Sequence, residues 1–134
     1  MAVATIIELL GKEKGRPVRY TVADGVAIPK GTLMKVIEPR TAEATDGDDK
    51  PFCGIAAAEK VISDGSTTLA CYTHGIFKLT NSATTALTAG MRVQIKAANE
   101  IDVVDNATLF AEVGIALQDI AKSADGAVLI GSGL

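Results

Sequence analysis

The chain contains no tryptophan, one histidine and two cysteines, and aromatic residues make up only 4% of its 134 positions. Without large rings the core has to be assembled from Val, Ile, Leu and Ala, and a cradle for a large aromatic ligand is not expected. One histidine and two cysteines do not supply the four ligands of a structural zinc site, so neither a metal nor a cofactor is expected. Lys and Arg are scattered and the formal net charge is −3, so there is no basic stripe to neutralise phosphates, and nucleic acid is excluded as the main partner. The apolar residues Ile6, Ile7, Leu9 and Leu10 form a run too short to span a bilayer, and no basic stretch precedes it. The expectation is a soluble, unsecreted protein with no membrane partner. In that setting Cys53 and Cys71 read as small buried hydrophobes rather than as a disulfide.

What the chain does have is period-two alternation broken by turn residues. Met91-Arg92-Val93-Gln94-Ile95-Lys96 alternates most cleanly, and Val18, Tyr20 and Val22 alternate with Arg19 and Thr21. Leu69 and Cys71 alternate in the same way with Ala70 and Tyr72. Such spacing places one face of a strand in the core. Asp24-Gly25, Pro29-Lys30-Gly31, Asp46-Gly47, Asp64-Gly65, Ala89-Gly90 and Asp125-Gly126 supply turn chemistry at hairpin intervals. Helix is confined to two short candidates, residues 6–10 ended by Gly11 and a turn within residues 106–112.

The two halves of the chain echo one another. Ile28-Pro29-Lys30-Gly31-Thr32-Leu33-Met34-Lys35-Val36 resembles Leu87-Thr88-Ala89-Gly90-Met91-Arg92-Val93-Gln94-Ile95. Gly31 is followed 23 residues later by Gly54-Ile55-Ala56, and Gly90 is followed 24 residues later by Gly114-Ile115-Ala116. Two similar β units can cover each other's apolar faces by closing a barrel, which also removes exposed strand edges. The expected fold is all-β: a small closed or nearly closed barrel built from two similar halves over residues 16–134, one domain, with an N-terminal arm at 1–15.

A search for chemistry finds little to assemble. His74 has no nucleophile elbow around it and reads as a rim histidine. No phosphate-binding glycine loop followed by Lys and Ser or Thr is present. Asp46, Asp48 and Asp49 surround Gly47 in the loop at residues 40–50 but lack the terminal Glu of a calcium loop, and read as a solvated acidic turn. Glu59 and Asp119 occupy similar places in the two repeats; a proton-sharing pair would require burial and close approach, and two rim residues are the simpler reading. No catalytic residue is assigned, and the protein is not expected to be an enzyme.

The order Arg16-Pro17-Val18-Arg19-Tyr20, Ile28-Pro29-Lys30-Gly31-Thr32-Leu33, Phe52-Cys53-Gly54-Ile55-Ala56, Tyr72-Thr73-His74-Gly75-Ile76-Phe77, Ala89-Gly90 and Val113-Gly114-Ile115-Ala116 resembles the head-decoration, or capsid cement, proteins of tailed viruses. The resemblance implies a β-tulip fold and a non-catalytic virion protein that binds the outside of the assembled capsid and stabilises it. It implies the major capsid protein as partner, a homotrimer at local three-fold positions, and residence in the host cytoplasm before assembly. It also implies that the arm grips the shell, through Ala2, Val3, Ala4, Thr5, Ile6, Ile7, Glu8, Leu9 and Leu10. The runner-up is a small-ligand or carbohydrate-binding β module of a viral tail or fibre, and a third reading is an enzyme using Glu59 and Asp119.

Overall fold

The computed structural model describes residues 3–8, 17–47, 50–104 and 111–131. Branched and small apolar residues between closely spaced turns form β1 (Thr5–Glu8), β2 (Val18–Thr21), β3 (Leu33–Glu38), β4 (Thr41–Ala44), β5 (Phe52–Ala56) and β6 (Thr68–Tyr72). The second half adds β7 (Gly75–Asn81), β8 (Arg92–Ala97), β9 (Glu100–Val103), β10 (Glu112–Ala116) and β11 (Asp125–Ile130). No described residue is in an α-helix. Of the two helical candidates, residues 5–8 form β1 and Glu112 opens β10, while Leu9, Leu10 and residues 106–110 lie outside the described residues.

The molecule is an all-β barrel structure made of two similar halves, and closure happens twice. β2-β4-β3-β5-β6 form one closed barrel, and β7-β11-β10-β8-β9 return to β7 to form another, with β1 added outside β7. Each barrel is sealed by the same kind of parallel seam, Thr21 beside Thr41 in the first and Thr80 beside Glu100 in the second. Left-handed backbone recurs at matching turns: Arg40 with Asn99, Ser63 with Ser123, and Gly31 with Gly90 at φ of 91° and 95°. Matching backbone bonds follow, from Gly31 N–H to the Ala56 carbonyl and from Gly90 N–H to the Ala116 carbonyl, each 2.8 Å. Closing each unit on itself satisfies its strand edges locally.

The halves are nonetheless joined by a continuous core. Leu33 and Ile55 of the first half pack in the cluster that holds Phe77, Leu79, Ile95, Ile101 and Val128 of the second. The rings of Tyr72 and Phe77 meet across the junction with centroids 5.7 Å apart. A smaller cluster fills the first barrel, built on Val22, Ile28, Met34, Ala42, Cys53, Leu69 and Cys71. The turn at residues 98–99 docks on the first half: Leu33 N–H donates to Asn99 Oδ1 at 2.9 Å, and Thr45 Oγ1 donates to the Ala97 carbonyl at 3.2 Å.

Three local readings need correction. The loop expected at residues 40–50 contains a strand, β4 at Thr41–Ala44, because Ala42 is drawn into the core of the first barrel. Asp125-Gly126 is not a turn but the start of β11. Glycine is needed there for space, because a Cβ would run into the Ile120 side chain. The alternation of β8 also breaks, since Gln94 is buried along with Val93 and Ile95. Its neighbour across the ladder, Asp102, is buried too, so the face of this sheet opposite Val93 and Ile95 is covered as well.

Candidate functional site

Thr5 to Glu8 do not stand clear of the body. They form β1, antiparallel to β7, with Thr5 opposite Lys78, Ile6 opposite Phe77 and a register irregularity before Glu8. Apolar β-branched residues favour a strand, and β7 offered an edge along its first half because β9 pairs only with its end. Ala4 continues the attachment by donating to the Gly31 carbonyl at 2.7 Å. Any Cβ at Gly31 would collide with the Ala4 carbonyl, so this glycine serves both its turn and the crossing chain. Ile6 and Ile7 remain exposed, Ile7 at 53%, and Val3 and Ala4 are half-buried. Ala2, Leu9 and Leu10, and Gly11 with the charged residues after it, lie outside the described residues. A cavity of about 300 Å³ lies beneath β1, between Ala4, Ile6, Lys30, Tyr72 and Phe77.

Glu59, Asp119 and His74, singled out in the sequence, do not come together as a site. Glu59 and Asp119 both precede the bridge residues Lys60 and Ile120, one on each barrel, and both are exposed. Asp119 Oδ1 accepts the Ala89 N–H at 2.9 Å and so braces a turn. The burial that a shared proton requires is missing at both. His74 lies in the connection from β6 to β7, its Nδ1 3.2 Å from Thr73 Oγ1, against Gly131 where a side chain would strike the ring. Cys53 and Cys71 are free thiols buried in the first barrel. A hydrogen bond to Cys71, reinforced by burial, raises the Cys53 pKa and keeps that thiol protonated.

A different part of the first barrel carries features that were not anticipated. Lys60 is buried, with Nζ donating to the Asp24 carbonyl at 2.7 Å and lying 3.5 Å from carboxylate oxygens of Asp24 and Asp64. Lys35 is also buried, with Nζ bonded to Asp46 Oδ1 at 2.5 Å and 3.4 Å from Glu43. Lys35 holds the Asp46 carboxyl below its ordinary range, and the Ser66 N–H does the same for Asp64. Asp48 and Asp49 lie outside the described residues. Among the described residues no group of three or more His, Cys, Asp or Glu side chains could hold a metal ion. Between these lysine clusters runs an apolar groove of about 390 Å³, walled by Val22, Val26, Ile28, Ile37, Ala42 and Ala44.

The repeat itself contained the signal. Lys60 stands where the second half has Ile120, as the two matching bridges show. Ala42, opposite Val36, stands where the second half has Ile101, opposite Ile95. A long cation in place of an isoleucine, and an alanine in place of another, are departures that half-to-half comparison exposes.

A family model described as phage cement protein matches residues 12–131, which takes in both barrels. No curated protein matches the chain.

Proposed function

The chain belongs to the phage cement protein family, and from that premise we propose that it binds the outside of the assembled capsid and stabilises it, without catalysis. The observation that carries the mode of binding is β1, an edge strand presenting exposed Ile6 and Ile7 beside an outer edge that pairs with no other strand among the described residues. Such an edge suits strand addition: main-chain hydrogen bonds give affinity and the alternate side chains fill pockets. The arm residues 2–10 are therefore the primary grip on the major capsid protein. The protein accumulates in the host cytoplasm and joins the shell there.

Three copies gather at local three-fold positions of the shell. Supporting this is the head-to-tail junction between the halves, in which the Asn99 turn is seated on Leu33 and Thr45 while the matching Arg40 turn is exposed. Contacts of that kind close into rings when repeated between copies.

The test is the double variant Ile6→Asp with Ile7→Asp, assayed by co-sedimentation with shells that lack this protein. Because both side chains are surface-exposed, the melting temperature should stay within a few degrees of the parent. Binding should fall at least tenfold; unchanged binding would remove the arm from the interface.

A further inference from the structure

A protein that only decorates a surface needs one attachment, whereas one that fastens neighbouring subunits together needs two. The open end of the first barrel has the features of the second. Val26, Val61 and Ile62 are large apolar residues exposed at 46%, 55% and 58%. The bridge between Ile28 and Lys60 brings their two loops side by side, next to the groove walled by Val22, Ile37 and Ala42. Among the described ion pairs around them, four carboxylates, Asp24, Asp64, Glu43 and Asp46, share two buried lysines, an excess of negative charge.

The second barrel is an internal control. At the matching positions it has Thr85 for Val26, Ala121 for Val61 and Lys122 for Ile62, and Ile101 occupies the space that Ala42 leaves open. Its seam is longer: Asn81 pairs with Ile101, and Ser82 N–H donates to the Ile101 carbonyl at 2.9 Å, where the first seam has the single pair Thr21 with Thr41. Asn81 Nδ2 then ties across to the carbonyls of Thr85, Ile120 and Ala121. A matching barrel end can therefore be plugged, and in the first barrel it is left open, apolar and acid-rimmed.

We propose that this groove is a second docking site, taking an apolar side chain that the shell presents between Lys or Arg residues. The charge excess of the rim selects basic flanks, and the accessible part of the groove, between Val26, Ile37 and Ala44, receives the apolar tip. The proposal rests on the capsid-binding reading above and adds to the arm a contact that would let one molecule bridge two shell subunits.

Two variants test it. Ala42→Ile installs the second barrel's own residue and fills the groove; Val26→Asn with Ile62→Asn makes the patch polar without adding charge. Thr85→Asn with Lys122→Asn, at the matching places of the second barrel, is the control. Each is measured by co-sedimentation with shells lacking this protein, at 50 mM and 300 mM salt, alongside melting temperature and light scattering. The expected result is a tenfold or greater loss of shell binding for both groove variants at 50 mM salt, an intact control, and parent binding that weakens as salt rises. Parent-like binding by Val26→Asn with Ile62→Asn, whatever the fate of Ala42→Ile, would overturn the proposal. So would a salt-independent parent, or a groove variant that lost self-association while keeping its shell affinity, because the occupant would then be a second copy. Failure of the parent itself to bind shells would overturn the capsid reading, and this site with it.

Discussion

Where the second half places Ile101, Asn81 and Ile120, the first places Ala42, Val22 and Lys60. Where the second has Gly126 making room for Ile120, the first has Leu69, and the long lysine reaches out of the barrel to carbonyl and carboxylate oxygens instead. The backbone paths match at three turns and the seam: Arg40 and Asn99, Ser63 and Ser123, and Gly31 and Gly90 take positive φ, and each seam is parallel. What duplication has kept is the set of constraints on the main chain. What it has released is the filling, so one barrel is a sealed foundation whose core takes in Leu33 and Ile55, and the other is free to keep an open end.

The sharpest way to break this equivalence is through its close backbone contacts. A Cβ at Gly54 would collide with the Tyr72 carbonyl, and one at Gly114 with the Leu129 carbonyl. Gly54→Ala and Gly114→Ala should each cost about 3 kcal/mol in denaturant unfolding, because neither neighbour is a flexible side chain. If one is tolerated and the other is not, the halves are not constrained alike.

Next in size is the exchange of one barrel's plug for the other's lining. Asn81→Val leaves buried carbonyls of Thr85, Ile120 and Ala121 without their amide donor. The cost should be about 2 kcal/mol. It is held below a full three-bond loss because Asn81 Oδ1 has no partner among the described residues and its removal is a gain. The urea midpoint measures this.

A double-mutant cycle examines the lysine exchange. Lys60→Ile alone forces a branched side chain against Leu69 and strips the donor from the Asp24 carbonyl, while Leu69→Gly alone leaves a void. Combined, they reproduce the packing of Ile120 on Gly126, and the pair should be less destabilising than the sum by about 1 kcal/mol. Simple additivity would mean that the two sites do not exchange packing in this way.

The smallest effect is on pH. Asp46 and Asp64 have folded pKa values below the ordinary 3.8, so the stability they contribute is present above that value and is lost as the pH falls through the depressed ones. Both carboxyls are exposed and solvent-screened, so the loss is slight. Protection against amide exchange, relative to the intrinsic rate at each pH, should fall near pH 3 in the loops of Asp46 and Asp64 before it does in β7 to β11.

The sequence carried the architecture in its glycines and alternation: Gly31 with Gly90 and Gly54 with Gly114 hold matching places, and the all-β, two-halved barrel follows from them. Separate closure of each half was not legible, because the parallel seams depend on how β4 and β9 curl back to β2 and β7, a long-range pairing without a local pattern. Asp125-Gly126 misled because glycine serves both turns and close packing, and only the position of Ile120 separates the two. The apolar run at Ile6 and Ile7 was visible by its hydrophobicity, but its pairing as a strand on β7, in place of a helical turn, depended on an edge that short-range reading cannot see. The groove was hidden for a related reason, since Ala42 and Val22 are unremarkable residues until each is set against its counterpart in the other half.

The most direct test of the account as a whole is the heat resistance of shells with and without this protein. Shells lacking it are mixed with the purified chain, separated from unbound protein, and their disruption temperature is followed by light scattering. The account predicts saturable binding and a disruption temperature raised by several degrees, with the rise lost in the Ile6→Asp with Ile7→Asp variant. Shells that disrupt at the same temperature whether or not the protein is bound would contradict it.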